Sequence, residues 1–404
     1  MKDKPLVTVF IPYYNDEKYL KDAIEAVLSQ TYENFELFLF NHASTDKSRI
    51  IAHSFSDARI KHIDAEENLG AGSGYNIRRT LPFMQGKYLK LLCADDVLKP
   101  NGLESLVECL EANEDKDIVF SNMDYVDEDL VSLYTTWEEN IPKCDFCSNE
   151  KETLLKFFKG YSHIAYPAAM IKLDAIKDIN INGTFIMLFD VSLWVRLLIK
   201  DKKIIFLPES TVDYRISNNQ MSSVHNSAKA SRIGYFELFQ LLNIYYEIKD
   251  VKLIKYLCLC VYSKFLKPGD EEFIPFVLSY FFASIVKYGR CDYFKDQQSV
   301  RETFGLTKLY EILQDPELSA KIQDRFGFGI KEFRELYAFL PTGQEVKKIN
   351  IKEHIYLKTP KSLSIMQLLF LLMRRVLNAI NLPHQIKKRI KYQDSNGIKK
   401  AYTV

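Results

Sequence analysis

Two adjacent carboxylates, Asp95-Asp96, directly follow the short apolar run Tyr88–Leu92. Neighbouring acids at a strand end repel one another unless a cation or a hydrogen-bond donor neutralises them. A divalent metal carrying a diphosphate does this, because hard cations such as Mg²⁺ take carboxylate oxygens and keep phosphate oxygens as co-ligands. The same residues also fit a solvated turn that caps the helix expected to begin at Pro100. Asp190 is the second candidate, opening a stretch that continues Ser192-Leu193-Trp194-Val195-Arg196. It reads either as a first-turn acid favoured by the helix dipole or as a general base in reach of an acceptor hydroxyl.

These carboxylates need a scaffold, and the first 125 residues supply an alternating one. Val7–Ile11 is a short β-branched run ending at Pro12. Glu17–Gln30 places Leu20, Ile24, Val27 and Leu28 at helical spacing, with Asn15 or Asp16 as its cap. Phe35–Phe40, Ile60–Ile63, Tyr88–Leu92 and Asp117–Phe120 read as further strands. Helices are expected from Ser44-Thr45-Asp46, near Tyr75–Met84, and from Pro100, the favoured first position. Alternation of this kind implies an α/β fold with a parallel sheet and right-handed crossovers. Ligands of such sheets bind beyond the carboxyl ends of the strands, where Asn41-His42 and Asp95-Asp96 both fall. Residues 126–165 read as irregular, and Ala168–Ile171 and Ile204–Leu207 as strands flanking the helix Asp190–Ile199. From about residue 226 only helices are expected: 227–248, 251–266, 271–288, 300–314, 317–325 and 331–339. Pro341-Thr342-Gly343 marks a boundary, with one more helix near 362–380.

Bulk properties bound the function. A chain of 404 residues is too long for one ordinary core. A net charge of +1 excludes a globally basic nucleic-acid binder. No signal core or run of about 20 apolar residues is found, so a cytoplasmic protein without a spanning helix is expected. Seven cysteines are scattered, and the Cys144/Cys147 pair lacks a second pair for zinc, so reduced structural thiols are expected.

Four stretches in order carry a resemblance. They are Val7-Thr8-Val9-Phe10-Ile11-Pro12-Tyr13-Tyr14-Asn15; Leu28-Ser29-Gln30-Thr31-Tyr32 with Phe35-Glu36-Leu37; Asn68-Leu69-Gly70, Asn76 and Gly86-Lys87-Tyr88 followed by Ala94-Asp95-Asp96 and Pro100; and Asp190 to Leu197, with Tyr214-Arg215 beyond. Together the sequence resembles the inverting family-2 glycosyltransferases of GT-A fold, over about residues 5–222. The resemblance implies a Rossmann-like, mostly parallel sheet flanked by helices in residues 1–225, and the residue pattern beyond it adds a helical domain in 226–340 and a basic amphipathic tail in 341–404. It implies that Pro12 and Tyr13 line the nucleotide base, that Asp95 bonds the ribose or sugar, and that Asp96 holds Mn²⁺ or Mg²⁺ against the diphosphate. Asn15 and Asn76 fall in its donor-side stretches. Asp190 is implied as the base that deprotonates an acceptor hydroxyl. Arg215 is implied as a diphosphate contact, or else as an ion-paired surface arginine.

The chain departs from that pattern at several positions. Asn41-His42 stand where paired acids are usual, yet both can hydrogen-bond a base. Cys93 replaces an Asp three places before the metal Asp, Asp96. Phe189 replaces an acid before Asp190, and an apolar neighbour raises the pKa of a buried carboxyl. Ser217 replaces a metal-binding His, for which His225 is the substitute candidate. His53 and His163 read as ordinary packing or surface groups. Tyr235, Phe236, Phe239, Tyr245 and Tyr246 fit core packing before a sugar-stacking platform.

In the tail, the apolar residues of 362–373 precede Arg374-Arg375 and Lys387-Lys388-Arg389. That order over 362–391 fits a segment lying on an anionic membrane surface. It also fits a helix packed on the catalytic domain, or an oligomer contact. The expected activity is transfer of a sugar from a nucleotide-diphosphate sugar, UDP-linked first, to a glycan or lipid-linked acceptor in bacterial capsule or lipopolysaccharide synthesis. The alternative is a catalytically degenerate nucleotide-sugar or glycan-binding subunit. A nucleotidyltransferase would want a glycine-rich loop after the first strand, and residues 12–16 contain no glycine.

Overall fold

A computed structural model describes residues 4–68, 73–135, 149–160, 164–181, 184–217, 227–258, 260–284, 295–338, 390–393 and 399–402. The strands are β1 (Val7–Tyr13), β2 (Phe35–Asn41), β3 (Ile60–Asp64), β4 (Tyr88–Leu91), β5 (Val97–Leu98), β6 (Ile118–Val126), β7 (Ser132–Thr135), β8 (Ala169–Lys172) and β9 (Ile204–Arg215). Between them lie α1 (Leu20–Leu28), α2 (Ser48–His53), α3 (Ser73–Thr80), α4 (Gly102–Ala112), α5 (Glu150–Lys159), α6 (Leu173–Lys177) and α7 (Phe189–Ile199). After β9 come α8 (Ser227–Ile244), α9 (Val251–Leu257), α10 (Ile274–Ala283), α11 (Lys295–Leu313), α12 (Pro316–Phe326) and α13 (Ile330–Ala338).

The strands form one sheet in the order β3-β2-β1-β4-β8-β6-β9-β5, with β7 on β6. The first four run parallel, as alternation of strand and helix implies. Beyond β4 the sheet is mixed: β8 is antiparallel to β4 and β6, β6 and β9 are parallel, and β5 is antiparallel to β9. The reversal brings β9, from late in the chain, beside the turn that follows β4. A cluster of buried apolar residues underlies β1, β2 and β4. Leu20, Ala23, Ile24 and Val27 of α1 and Leu103, Leu106, Val107 and Leu110 of α4 pack into it, each set at the spacing of one helix face.

Local expectations needed four corrections. Neither Asn15 nor Asp16 caps α1, which starts at Leu20 after Tyr19. Asp16 instead closes a turn, its carboxylate accepting from Tyr14 N–H at 2.9 Å. Pro100 is not the first residue of α4, which begins at Gly102. Lys99 N–H still bonds Thr211 O at 2.9 Å, so the chain is extended there and can turn helical only afterwards. Residues 126–165 are not wholly irregular, because β6 runs to Val126 and pairs with β7, and α5 follows. Several predicted helices are also shorter: 251–266 ends at Leu257 and 271–288 at Ala283, each with a 3-10 turn nearby.

Met1–Phe339 form one compact unit and Leu340–Val404 a second. In the second unit the described residues form an antiparallel hairpin of β10 (Ile390–Gln393) and β11 (Lys399–Tyr402). The expected helix at 362–380, most of the segment 362–391, the Cys144/Cys147 pair, His163 and His225 lie outside the described residues. Among the described residues no helix is long and apolar enough to cross a membrane.

Candidate active site

The carboxyl ends of β1 and β2 set the first wall. Tyr13 pairs with Asn41 across the two strands, and His42 N–H donates to Tyr13 O at 2.9 Å. Pro12 is half-buried and Tyr13 is buried, its hydroxyl pushed well up by burial and then by the charge of Asp64. Asn41 is buried and bonded on both sides: Nδ2 donates to Asp64 at 2.8 Å, and Oδ1 accepts from Ser44 N–H at 2.9 Å. His42 is buried, edge-on to exposed Tyr14 at 6.4 Å, and burial lowers its pKa. Asn15 has a positive φ of 56°, a conformation asparagine tolerates. Its Oδ1 accepts from Thr45 N–H at 2.8 Å, tying the β1 loop to the β2 loop. Asn76, on α3, is buried and its Oδ1 has no hydrogen-bond partner. His53 is a surface group, 3.0 Å from Asp64 and stacked on His62.

The turn from β4 to β5 carries the acids. One ligand atom each from Cys93, Asp95 and Asp96 lies within 4.8 Å of the others. Asp96 is 1% exposed, and its Oδ2 has no hydrogen-bond partner. Burial, and then the charge of Asp95, push the Asp96 carboxyl well above its ordinary range. Burial and the charges of Asp96 and Asp95 likewise push the Cys93 thiol up. An orphaned buried carboxylate oxygen is costly and is satisfied by a cation, so this group fits a divalent metal. Below it, Lys90 of β4 is fully buried and bonded to Pro167 O and Ala169 O, and burial lowers its pKa to about 7.

Arg215, the last residue of β9, holds that turn. Its N–H donates to Asp96 Oδ1 at 3.0 Å and its Nε to Asp95 O at 2.8 Å. Its other nitrogens reach Glu128 O and Asp22, and the guanidinium lies 4.4 Å over the Tyr19 ring. At 2% exposure it is no surface arginine. Ser217 is buried two residues further on.

Asp190 stands in the first turn of α7, where its Oδ1 accepts from Val191 N–H at 2.8 Å. Burial pushes its carboxyl up to about 6 against that bond, and the charge of Glu237 adds to the rise. Its charge also reaches the Cys93 thiol, as the smallest of the causes that raise it. The helix is anchored by Trp194, which is buried and donates from Nε1 to Ile164 O at 3.1 Å.

Three groups escaped the sequence reading. Asp16 sits close enough to Asp95 to feel its charge, and burial lifts it to about 6. Lys90 looks like a surface residue in sequence. Glu237 did leave a signal, as a lone acid within an aromatic-rich helix. Of that aromatic run, Phe239 and Tyr246 pack on Phe304 and Tyr245 on Phe158, while Tyr235 and Phe236 are exposed.

Comparison with known proteins bears on the family and the fold. Residues 8–179 match the model of glycosyl transferase family 2. An uncharacterized glycosyltransferase of Methanocaldococcus jannaschii is 33% identical over 220 residues, 54% of this chain and 72% of the relative. An uncharacterized glycosyltransferase of Haemophilus influenzae is 29% identical over 63% of this chain and 85% of its own. Among solved structures, TarS 1-349 of S. aureus superposes with a TM-score of 0.51 at 15% identity, covering 80% of this chain and 92% of TarS. The same TarS fragment is known in complex with UDP-GlcNAc, with a TM-score of 0.50. At such identity this likeness speaks for the fold alone. By its relatives and its matched domain, the chain belongs to glycosyl transferase family 2 and is a glycosyltransferase of GT-A fold.

Proposed function

We propose that this protein is an inverting transferase moving a sugar from a UDP-sugar to a hydroxyl of a glycan or lipid-linked acceptor. The observation that carries the reading is Asp190, a carboxyl in the first turn of α7 raised to about 6, whose charge reaches the Cys93 thiol of the acidic turn. A base whose pKa lies just below neutral is ionised at pH 7 and still takes a proton readily. Asp190 accepts the acceptor hydroxyl proton while that oxygen forms its bond to the anomeric carbon. The bond from that carbon to the diphosphate oxygen breaks, and the nucleoside diphosphate leaves with the electron pair. Attack from the face opposite the leaving group inverts the anomeric centre.

Asp96, with Asp95 and Cys93, would hold Mn²⁺ or Mg²⁺, which stabilises charge on the leaving diphosphate. Pro12, Tyr13, His42 and Asn76 line the donor side, with the Asn76 oxygen available to a ligand donor. Asn15, Asn41 and Arg215 serve the donor by fixing the loops around it, since their side chains bond protein groups. Asp95 completes that side. The UDP-GlcNAc complex of TarS supports a uridine donor for this fold. A bacterial surface polysaccharide acceptor, and work at the inner face of the plasma membrane through 362–391, belong to the same proposal.

The test is nucleotide release from UDP-, GDP-, CMP- and dTDP-sugars, with Mn²⁺ or EDTA, for wild type and Asp96→Ala. Release from a UDP-sugar alone, lost in EDTA and in the variant, is expected. Cys93, Asn41-His42 and Ser217 favour a second reading, a binding subunit without turnover. Binding of a UDP-sugar with no release from any donor would select it.

A further inference from the structure

We propose that Glu237 is a positioning residue for Asp190: reaching in from α8, its carboxylate clamps the three consecutive peptide N–H groups that lead into α7. The inference rests on the reading of Asp190 as the base. Glu237 Oε1 accepts from Ile186 N–H at 2.5 Å, and Oε2 accepts from Met187 at 2.9 Å and Leu188 at 2.7 Å. Asp190 follows two residues later. Leu188 precedes the helix with no side-chain cap of its own. Successive N–H groups converging on one point make an anion site, and the anion here belongs to the protein.

The arrangement is built rather than incidental. Glu237 is 2% exposed, and a buried carboxylate is tolerated only when its oxygens are hydrogen-bonded. Its three donors meet that requirement, so the segment and the acid order one another. Neighbouring Leu238, Leu241 and Leu242 of α8 are buried, which fixes the helix from which Glu237 projects. The carboxylate also adds to the field that raises Asp190. The helical region after β9 thus acts on the reaction through a residue that touches no substrate.

The test uses the full chain and three variants, Glu237→Gln, Glu237→Asp and Asp190→Asn, with their double combinations. Hydrogen exchange is read on the amides of 186–188, UDP affinity by calorimetry in Mn²⁺, and turnover by the release assay. Gln offers one acceptor oxygen where three N–H groups converge, and Asp keeps the charge but is one methylene short. Faster exchange at 186–188 is expected in both, with UDP affinity within about two-fold of wild type. A displaced base loses about 10–100-fold in kcat, and Gln at 237 adds little loss once Asp190 is already Asn. Should Glu237→Gln not fold, Glu237→Asp carries the same reading. The proposal is overturned if 186–188 exchange unchanged, if kcat is unchanged, if UDP affinity falls in step with kcat, or if the losses of the pair are additive. Wild-type kcat in Asp190→Asn would remove the base assignment instead, and the exchange result would still stand or fall on its own.

Discussion

The main-chain N–H of Arg215 donates to Asp96 Oδ1 at 3.0 Å across 119 positions of sequence. One residue thereby fixes both acids, since its side chain also takes the Asp95 carbonyl. Replacing Arg215 by Met keeps the packing volume but strands the carbonyls of Asp95 and Glu128. Loss of about 2–4 kcal/mol is expected, read by urea denaturation. Metal-dependent UDP binding should weaken as well, because the turn keeps the main-chain bond to Asp96 but loses the side-chain bond to the Asp95 carbonyl.

Asp96→Ala removes the buried carboxylate whose Oδ2 has no partner. Release of nucleotide should fall about 10³-fold or more, the scale of several kcal/mol of lost charge stabilisation. EDTA on the wild type should do the same. Cys93 gives this turn a soft donor where an oxygen would favour Mg²⁺. Cys93→Asp should therefore raise activity in Mg²⁺ relative to Mn²⁺, measured as the ratio of rates at saturating metal.

Asp190 makes the pH dependence testable in two ways. Its carboxyl sits at about 6 when folded, against an ordinary 3.8. The rate should fall as pH drops through about 6, as the base is protonated. For stability the sign is opposite to that of a salt-bridged acid. The folded state binds the proton more tightly, so this group's contribution is present below 3.8 and is lost as pH rises to about 6. Holding the charge at pH 7 costs up to about 3 kcal/mol. Asp190→Asn should thus raise the melting temperature at pH 7, with little gain at pH 4, while slowing turnover to a small residual rate.

Gly86 leaves no room for a side chain. A Cβ there would lie 2.5 Å from Thr8 N and 2.6 Å from Thr8 Oγ1. That hydroxyl accepts from Gly86 N–H and donates to Glu36, which in turn accepts from Gln85 N–H. Gly86→Ala should cost about 2–3 kcal/mol through this overpacking, seen as a lower denaturation midpoint with an unchanged slope.

Much of this protein was legible in order along the chain. Leu20, Ala23, Ile24 and Val27 repeat at helical spacing, and Val7–Ile11 and Phe35–Phe40 are runs that only a doubly covered strand buries. Those periodicities are local, and hydrophobic burial acts on them directly. Asp95-Asp96 stood out at a strand end, where ligands of such sheets are met, while Asp190 stood out only through the resemblance to family 2.

What the sequence by itself determined is therefore the α/β half and its parallel strands, with Asp95, Asp96 and Asp190 singled out as candidate carboxylates. Only the tertiary structure decided the mixed order beyond β4, the burial of Lys90 in mid-sheet, the grip of Arg215 on Asp96 and that of Glu237 on residues 186–188. The reason is physical. Periodicity reports which face of an element is apolar, a property of near neighbours. Which distant polar group meets which backbone N–H depends on the path of the whole chain. A buried charge such as Glu237 looks in sequence like any solvated acid until three donors, some 50 positions away, are brought to it.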